Sequence, residues 1–269
     1  MIEKDTPPEN TPEDKESLGE LARTALIAVC LALLIRSLLF EPFNIPSGSM
    51  IPNLLVGDYL FVSKFSYGYS RYSFPLGMGG FDGRIAAQEP KRGDVVVFKL
   101  PTNHSIDYIK RVVGLPGETI QVMNGRLYIN DKIVPREIIG MVEYDREYGG
   151  RAKATAYRET LPGGVVHTIY EEGDALALDN TEKYTIPAGH YFMMGDNRDN
   201  SRDSRVLEDV GYVPFDNFLG RADFIFFSTN GEARFYEVWK WPWSIRYDHL
   251  FRRIGNGETL KLPEAKALK

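Results

Sequence analysis

The order of hydrophobic and polar positions divides the chain into three parts. Residues 1–20 are rich in Pro, Glu and Asp and hold too little apolar surface to fold, so we expect a disordered tail. Residues 21–40 are almost continuously apolar. From residue 41 onward, short runs rich in Val, Ile, Phe and Tyr are broken by Gly, Pro and Asn-Gly, which is typical of strands joined by turns. The pattern predicts a mainly β protein, preceded by one apolar helix.

The apolar segment 21–40, "LARTALIAVCLALLIRSLLF", has three interpretations. A membrane span needs about 20 mostly apolar residues. The segment reaches that length only if Arg23 and Arg36 extend towards the two interfaces. A removable leader would start with a short basic region, whereas this chain starts with a long acidic one. A buried helix would need a large partner surface. A single transmembrane anchor fits best, and the basic residues before it mildly favour a cytoplasmic N-terminus.

Turn signals divide the β region further. The dipeptides Asn124-Gly125 and Asn230-Gly231 are typical of tight hairpin turns. Between them lies a polar stretch with short strands of its own. We predict an antiparallel β core built from residues 41–122 and 187–269, with a C-terminal tail, and an inserted β-rich sub-domain of residues 123–186.

Composition and charge exclude several classes of function. The net charge is −5, so no broad nucleic-acid-binding surface is expected. The chain has one cysteine, which excludes an intramolecular disulfide and a cysteine-based zinc cluster. The four histidines are scattered without the spacing of metal ligands, so we predict no histidine metal site.

The motif "PSGSM" after the apolar segment raises the question of a nucleophile. Its two serines, Ser47 and Ser49, suit a loop, a leader-cleavage site or a nucleophile turn. A serine hydroxyl attacks only when a neighbouring base takes its proton. The surroundings of Ser49 are not the G-x-S-x-G turn of many hydrolases. No histidine in the chain stands out as its base, so another base has to be considered.

Lys110, in "DYIKRVVG", is an unusual lysine. Strand alternation places its side chain on one face with Tyr108 and Val112, and Arg111 on the other. Between an aromatic and a β-branched residue, a buried lysine would lose its charge more readily than one in water. Such a lysine can serve as a base. The alternative is a charge on an edge strand that discourages aggregation, and composition alone favours this alternative.

The stretch "GDNRDNSRDSR", residues 195–205, is dense in Asp, Asn and Arg. A calcium loop of the EF-hand type needs Gly at its sixth position and Glu at its twelfth, and neither possible alignment provides them. Alternating acids and arginines indicate an ion-pair network that holds a turn rigid. A solvated polar loop is the alternative.

Taken in order, these motifs resemble one family. "FNIPSGSMIPNLLVGDYLFVSKFSYG", "RGDVVVFKLP", "DYIKRVVGLPGE" and "MMGDNRDNSRDSR" are similar to the successive sequence boxes of bacterial type I signal peptidases. Members of this family are membrane-anchored serine proteases with a Ser–Lys dyad. The similarity covers the anchor and most of residues 39–122 and 187–229.

The resemblance implies a role for each matching position. Ser49 corresponds to the nucleophile and Lys110 to the general base, while the Ser47 hydroxyl helps to form the oxyanion hole and Ser201 orients the lysine. Charged framework residues beside the site correspond to Arg111, Asp196, Asp203 and Arg205. Positions that line the substrate groove correspond to Phe43, Ile45, Pro46, Met50, Leu54, Tyr108 and Ile109.

The resemblance also implies a substrate and a location. The substrates would be the signal peptides of preproteins with small residues before the cleavage site. The enzyme would sit in the bacterial inner membrane with one span, its N-terminus cytoplasmic and its catalytic domain on the outer, periplasmic side. No cofactor and no nucleic acid are implied. Two alternatives remain: a self-processing Ser–Lys protease, and a membrane-anchored β-domain that binds partners with an inactive dyad.

All three tryptophans fall in "WKWPW", residues 239–243. Tryptophan is enriched at membrane interfaces, and nearby basic residues could contact anionic lipid. We therefore consider that this segment docks on the bilayer. Ordinary packing against the β core is the alternative.

Overall fold

The computed structural model describes residues 18–74, 80–146, 149–230, 233–234 and 236–255. The tail predicted over residues 1–20 lies outside the described residues, except for Leu18 to Glu20, which begin the first helix. Gly231 of the second predicted hairpin turn also lies outside them.

The described residues form two α-helices and fifteen strands, joined by turns and short 3₁₀ segments. The helices are α1 (Leu18–Leu38) and α2 (Trp241–Ser244). The strands are β1 (Phe40–Asn44), β2 (Asp58–Ser63), β3 (Val95–Leu100), β4 (Asn103–Gly114), β5 (Thr119–Met123), β6 (Arg126–Ile129), β7 (Lys132–Ile133), β8 (Arg136–Asp145), β9 (Arg151–Leu161), β10 (Val165–Glu171), β11 (Tyr184–Thr185), β12 (His190–Met194), β13 (Val213–Pro214), β14 (Phe218–Ser228) and β15 (Arg252–Arg253).

Helix α1 leaves its apolar side chains uncovered. Leu26 is 64% exposed and Leu31 is 55% exposed. The helix is long and apolar enough to cross a membrane, and none of its most apolar window is buried by the rest of the protein. Within the described residues, the alternative of a buried soluble helix is therefore not supported. At its C-terminal end, Arg36 donates to Glu41 of β1 at 2.7 Å, which ties the helix to the first strand.

The largest sheet has eight strands in the order β1-β2-β14-β3-β4-β12-β13, with β15 paired to β14. All its pairings are antiparallel, so the predicted fold class is confirmed. Strand β3, "VVVFKL", explains how this sheet holds the core together. Val95 and Val97 pack into one buried cluster, while Val96 and Phe98 pack into another on the opposite face. Since side chains alternate along a strand, a continuous apolar run indicates burial on both faces.

Two smaller sheets complete the fold. Strands β11, β5, β6 and β7 form a four-stranded sheet, and β10, β9 and β8 form a three-stranded one. The turn between β5 and β6 is the predicted Asn124-Gly125 hairpin, and both residues have positive φ, 48° and 66°. This prediction is confirmed, because glycine and asparagine tolerate that backbone conformation.

The three-stranded sheet packs beside the large sheet at "PSGSM". Its buried alanines on β9 and Tyr170 of β10 form an apolar cluster with Ile51, two residues after Ser49. Tyr170 N–H also donates to the carbonyl of Asp196 at 2.9 Å. The sheet therefore supports both chain segments that the sequence marked as candidates for chemistry.

Candidate active site

Ser49 lies in a tight turn between β1 and β2. Residues Gly48–Met50 form one 3₁₀ turn, closed by the Ile51 N–H donating to the Gly48 carbonyl at 3.2 Å. Met50 and Leu54 are fully buried in the core and hold the turn against it. The Ser49 side chain points the other way, although the residue is only 7% exposed. The local sequence thus fixes a serine at the floor of a groove.

Lys110 meets Ser49 from β4. Its Nζ lies 2.6 Å from the Ser49 Oγ and donates to the Ile109 carbonyl at 3.0 Å. The ammonium position is 5.2 Å from the centre of the Tyr108 ring, so the predicted shared face is confirmed. Lys110 is 4% exposed, and β4 lies between β3 and β12. This burial argues against a solvent-exposed charge that discourages aggregation, although β12 pairs with β4 only from Arg111 onward.

Ser47 and Ser201 line the same groove as this pair. The Ser47 and Ser49 hydroxyl oxygens are 3.4 Å apart. Ser201 borders the same groove and donates its hydroxyl to Asp203 Oδ2 at 2.9 Å. Their predicted roles in stabilising an oxyanion and orienting the lysine are compatible with these positions and stay predictions.

Buried ion pairs hold residues 195–205 against the sheet. Arg111 binds Asp196 with two hydrogen bonds, of 2.8 Å and 2.7 Å. Arg205 binds Asp203 in the same two-pronged manner, at 2.8 Å and 2.9 Å. Asp196 is 1% exposed and Asp203 is not exposed. The predicted ion-pair network is confirmed, and the alternative of a solvated loop is wrong.

The protonation of Asp203 follows from its neighbours. Burial on its own would raise the pKa of this carboxyl, but the charge and hydrogen bonds of Arg205 outweigh burial. Further hydrogen bonds from the Gly195 N–H and the Ser201 hydroxyl act in the same direction, so the pKa lies below its ordinary value. Asp203 therefore stays an acceptor and fixes the Ser201 hydroxyl in one orientation.

Sequence reasoning did not assign a role to Asn197, which binds the nucleophile turn directly. Its N–H donates to the Ser49 carbonyl at 3.0 Å, and its side-chain amide donates to the Gly48 carbonyl at 3.1 Å. Tyr144 of β8 donates to the amide oxygen of Asn197 at 3.2 Å. Asn197 stands in the quoted "GDNRDNS", but nothing in the sequence indicates that it contacts residues 149 positions earlier.

A buried histidine was missed in the same way. His167 of β10 has its Nε2 3.3 Å from Glu159 and 3.8 Å from Asp196. Burial lowers the pKa of His167 well below its ordinary value, and the positive charges of Arg111 and Arg198 lower it further. This histidine is therefore neutral and packs against the buried ion pairs.

The predicted substrate-groove residues divide between the groove surface and the core beneath it. Pro46, Tyr108 and Ile109 line a groove of about 990 Å³ that also contains Ser49 and Lys110. Phe43 lines a neighbouring cavity of about 530 Å³ at the end of α1. Three other predicted residues are buried in the cluster below, and these are Ile45, Met50 and Leu54.

The known proteins that are similar to this chain share one family description. The family described as "Signal peptidase, peptidase S26" matches residues 18–227. A signal peptidase I of Rickettsia conorii is 42% identical over 91% of this chain and 95% of its own length. Another, of Rickettsia typhi, is 43% identical over 82% of this chain and 84% of its own.

A crystal structure of a signal peptidase I from Enterococcus faecalis is 28% identical, covers 50% of this chain and 97% of its own, and superposes with a TM-score of 0.31. The family match extends from the start of α1 into β14, and the Rickettsia conorii relative covers 91% of the chain. The chain therefore belongs to the signal peptidase family, peptidase S26, and is a serine peptidase.

Proposed function

We propose that this protein is a membrane-anchored endopeptidase that removes signal peptides from exported preproteins with Ser49 and Lys110 as its dyad. The observation that carries the proposal is the 2.6 Å distance between the Lys110 Nζ and the Ser49 Oγ in a buried site. Family membership supports the substrate class, since the similar proteins carry the name signal peptidase I.

The first step is a proton transfer from Ser49 to Lys110. Removal from water disfavours the ammonium form of a lysine, so a side chain that is 4% exposed has reason to be neutral. The neutral amine accepts the serine proton while the Ser49 Oγ attacks the scissile carbonyl carbon. Lys110 then returns the proton to the leaving amine, and water later hydrolyses the ester by the same route.

The oxyanion that forms on the carbonyl would meet two donors. The N–H of Ser49 lies in the first turn of a 3₁₀ segment, where backbone N–H groups have no acceptor within the turn. The Ser47 hydroxyl is the second donor, and its oxygen is 3.4 Å from the Ser49 Oγ. Each well-placed donor of this kind contributes about 3 kcal/mol to transition-state stabilisation.

The substrate would bind as an added strand. On the side of β4 that faces β12, pairing extends only from Arg111 to Gly114. In the described part of the chain, no strand pairs with that side of β4 from Tyr108 to Lys110. The groove runs along that edge. An extended peptide would hydrogen-bond to β4 there, and shallow apolar walls would admit small residues and reject bulky ones.

Helix α1 supports the membrane location. It is exposed and apolar along its length, and β1 begins two residues after it ends. Ser49 follows Phe40 by nine positions, so it lies within about 30 Å of the helix end. With the N-terminus in the cytoplasm, the catalytic residues face the outer side, where leader peptides emerge. The sub-domain boundaries of the sequence prediction, 41–122 and 187–269 around 123–186, belong to this proposal.

The test is cleavage of a preprotein by the full-length protein and two variants. Ser49→Ala and Lys110→Ala should each lower kcat/KM by roughly four orders of magnitude or more, because the dyad acts as a unit. Lys132→Ala is a matched control, since Lys132 is exposed on the short strand β7. Full activity of either dyad variant would rule out the mechanism, and thermal unfolding of each variant checks that the fold is intact.

A further inference from the structure

The groove around Ser49 continues beyond the catalytic pair. One half follows the edge of β4 from Ile106 to Ile109. The other, which we call the far half, is bordered by Arg146, Glu172, Leu176, Asp199, Asn200 and Arg202. The far half contains no residue that the catalytic mechanism uses, although it opens directly onto Ser49.

The position of α1 indicates which part of a substrate would occupy the far half. Asp107, at the β4 half, also borders the cavity at the end of α1, together with Arg36 and Phe43. That half therefore leads towards the membrane. If the protein is the signal peptidase proposed above, the leader segment lies in the membrane and reaches Ser49 through the β4 half. The residues after the cleaved bond then enter the far half.

The charged side chains of the far half differ in their exposure and in how many hydrogen-bonding groups remain for a ligand. The carboxylate of Glu172 is 15% exposed, and it accepts hydrogen bonds from Tyr144, at 2.7 Å, and from Arg146. The carboxylate of Asp199 accepts the backbone N–H groups of Glu172 and Gly173. Glu172 is thus engaged with protein donors, and the Asp199 Oδ1, which has no hydrogen-bond partner among the described residues, is buried away from a ligand.

The two arginines are much more exposed. The side chain of Arg146 is 49% exposed while paired with Glu172, and that of Arg202 is 73% exposed while paired with Asp209 at 2.8 Å. A guanidinium group has five N–H donors, so one carboxylate partner leaves donors for a ligand. The accessible surface of the far half is therefore rich in positively charged donors.

A chain of hydrogen bonds fixes Arg146 relative to the nucleophile. Arg146 binds Glu172, and the Tyr144 hydroxyl shares its one hydrogen between Glu172 and Asn197. Asn197 in turn binds the carbonyl of Ser49. Burial and the hydrogen bond to Glu172 raise the pKa of Tyr144 to about 12, so its hydroxyl remains a donor. An arginine held in this way can discriminate between ligand charges a few residues from the cleaved bond.

We propose that the far half is a binding subsite for the first residues of the mature protein, and that Arg146, assisted by Arg202, selects acidic side chains there. This inference deepens the proposed function and rests on it. The ligand chemistry is a carboxylate on an extended peptide, two or three residues after the cleaved bond. Two-pronged binding of a carboxylate by a guanidinium group suits this arrangement.

The test uses the full-length protein in detergent micelles and three preproteins. The second and third residues of the mature part are both Glu in the first, both Gln in the second and both Lys in the third, and the three are otherwise identical. For the wild-type protein, kcat/KM should fall about threefold to fivefold from Glu to Lys, the range for a partly exposed ion pair. The difference should appear mainly in KM and should shrink at 1 M salt, where charges are screened within about 3 Å.

Two variants assign the preference to its residue. Arg146→Gln should reduce the Glu-to-Lys ratio towards one, and Arg146→Glu should invert it. Arg151→Glu is the matched control, because Arg151 lies on the same hairpin, is 75% exposed, and does not border the groove. It should keep the wild-type ratio.

The possible outcomes separate this inference from the proposed function. Equal cleavage of all three preproteins by the wild-type protein would overturn the subsite and leave the dyad untouched. A wild-type preference that persists in Arg146→Gln and Arg146→Glu would also overturn the assignment to Arg146. Failure of the wild-type protein to cleave any of the three would contradict the proposed function itself.

Discussion

At the scale of single residues, Arg111 and Asp196 carry opposite charges in a place almost without water. Their side chains are 3% and 1% exposed. Arg111 also donates to the Gly93 carbonyl, and Asn53 donates to Asp196, so every part of the pair has a partner. Removing one partner of such a pair lowers the free energy of unfolding by more than the intact pair contributes to it, because the remaining charge stays buried without its partner.

Asp196→Ala is therefore expected to reduce the free energy of unfolding by about 3–5 kcal/mol, since it leaves the Arg111 cation buried without its carboxylate. Asp145→Ala is a matched control, because Asp145 pairs with Arg151 on the surface and is 84% exposed. Its cost should stay within about 0.5 kcal/mol. Denaturant unfolding of the full chain in detergent measures both, and equal costs would contradict the description of the buried pair.

The protonation of His167 links stability to pH. Glu159 and Asp196 face its ring, as do the charges of Arg111 and Arg198, and burial keeps its folded pKa well below 6.5. Below pH 6.5 the unfolded chain binds a proton that the folded protein excludes, so stability falls as the pH falls. Glu171 acts in the opposite direction, because burial raises its pKa to about 7 and the folded protein keeps that proton.

His167→Gln is expected to lose less stability than the wild-type protein between pH 7.5 and 5.5. The free energy of unfolding of the wild-type protein should fall more steeply with falling pH, by up to about 1.4 kcal/mol for each pH unit. Glu171 is present in both proteins and cancels in the comparison. Thermal unfolding midpoints measure the effect, and identical slopes for His167→Gln and wild type would contradict it.

At the scale of elements, the nucleophile turn and the segment 195–201 touch across Gly195. A Cβ atom at Gly195 would lie 2.2 Å from the Ser201 Oγ and 2.6 Å from the Ser49 carbonyl oxygen. The close approach is what allows Asn197 to bind the Ser49 carbonyl. Only glycine permits the two segments to keep this spacing.

Gly195→Ala is therefore expected to separate the two segments and lower kcat by about 100-fold, the effect of a displacement of about 1 Å in an active site. Gly140→Ala on β8 provides the control, since nothing lies within 4 Å of a Cβ atom at Gly140. Preprotein cleavage by both variants, with circular dichroism as a check of folding, measures the difference. A Gly195→Ala protein as active as Gly140→Ala would contradict the importance of this contact.

Local patterns predicted the strands, the Asn124-Gly125 hairpin and the position of Lys110 on the face of Tyr108. These features depend on neighbours in the sequence. The contacts of Asn197, His167 and Tyr144 with the site depend on how the three-stranded sheet docks against "PSGSM". No periodicity in one sequence encodes that docking, and so these residues could not be assigned. Alternation similarly could not decide whether Lys110 lies at an edge, because the pairing partners of β4 are distant in sequence.

At the scale of the whole molecule, a row of aromatic rings connects the end of α1 with "WKWPW". Phe40 contacts Phe61, and from there ring contacts pass through Phe226, Tyr59 and Phe227 to Trp241. Trp241 packs on Phe227 with ring centres 5.0 Å apart, which agrees with the packing alternative. Trp239 and Trp243 are 65% and 75% exposed, which favours docking on the bilayer.

Fluorescence can test this docking directly, because all three tryptophans of the chain lie in this segment. In proteoliposomes, lipids brominated near the headgroup should quench the emission of the wild-type protein. They should quench much less in a protein with Trp239→Phe and Trp243→Phe, in which Trp241 is shielded by Phe227. Quenching by aqueous acrylamide alone, without quenching by the brominated lipids, would rule out docking of the segment.

The most direct test of the mechanism is the pH dependence of preprotein cleavage by the wild-type protein and by Lys110→Arg. Arginine stays protonated in proteins, so it cannot take the Ser49 proton. We expect the wild-type kcat/KM to rise with pH along a limb that reflects loss of the Lys110 proton. A folded Lys110→Arg protein should be inactive at every pH. Cleavage by Lys110→Arg at the wild-type rate would contradict the Ser49–Lys110 mechanism.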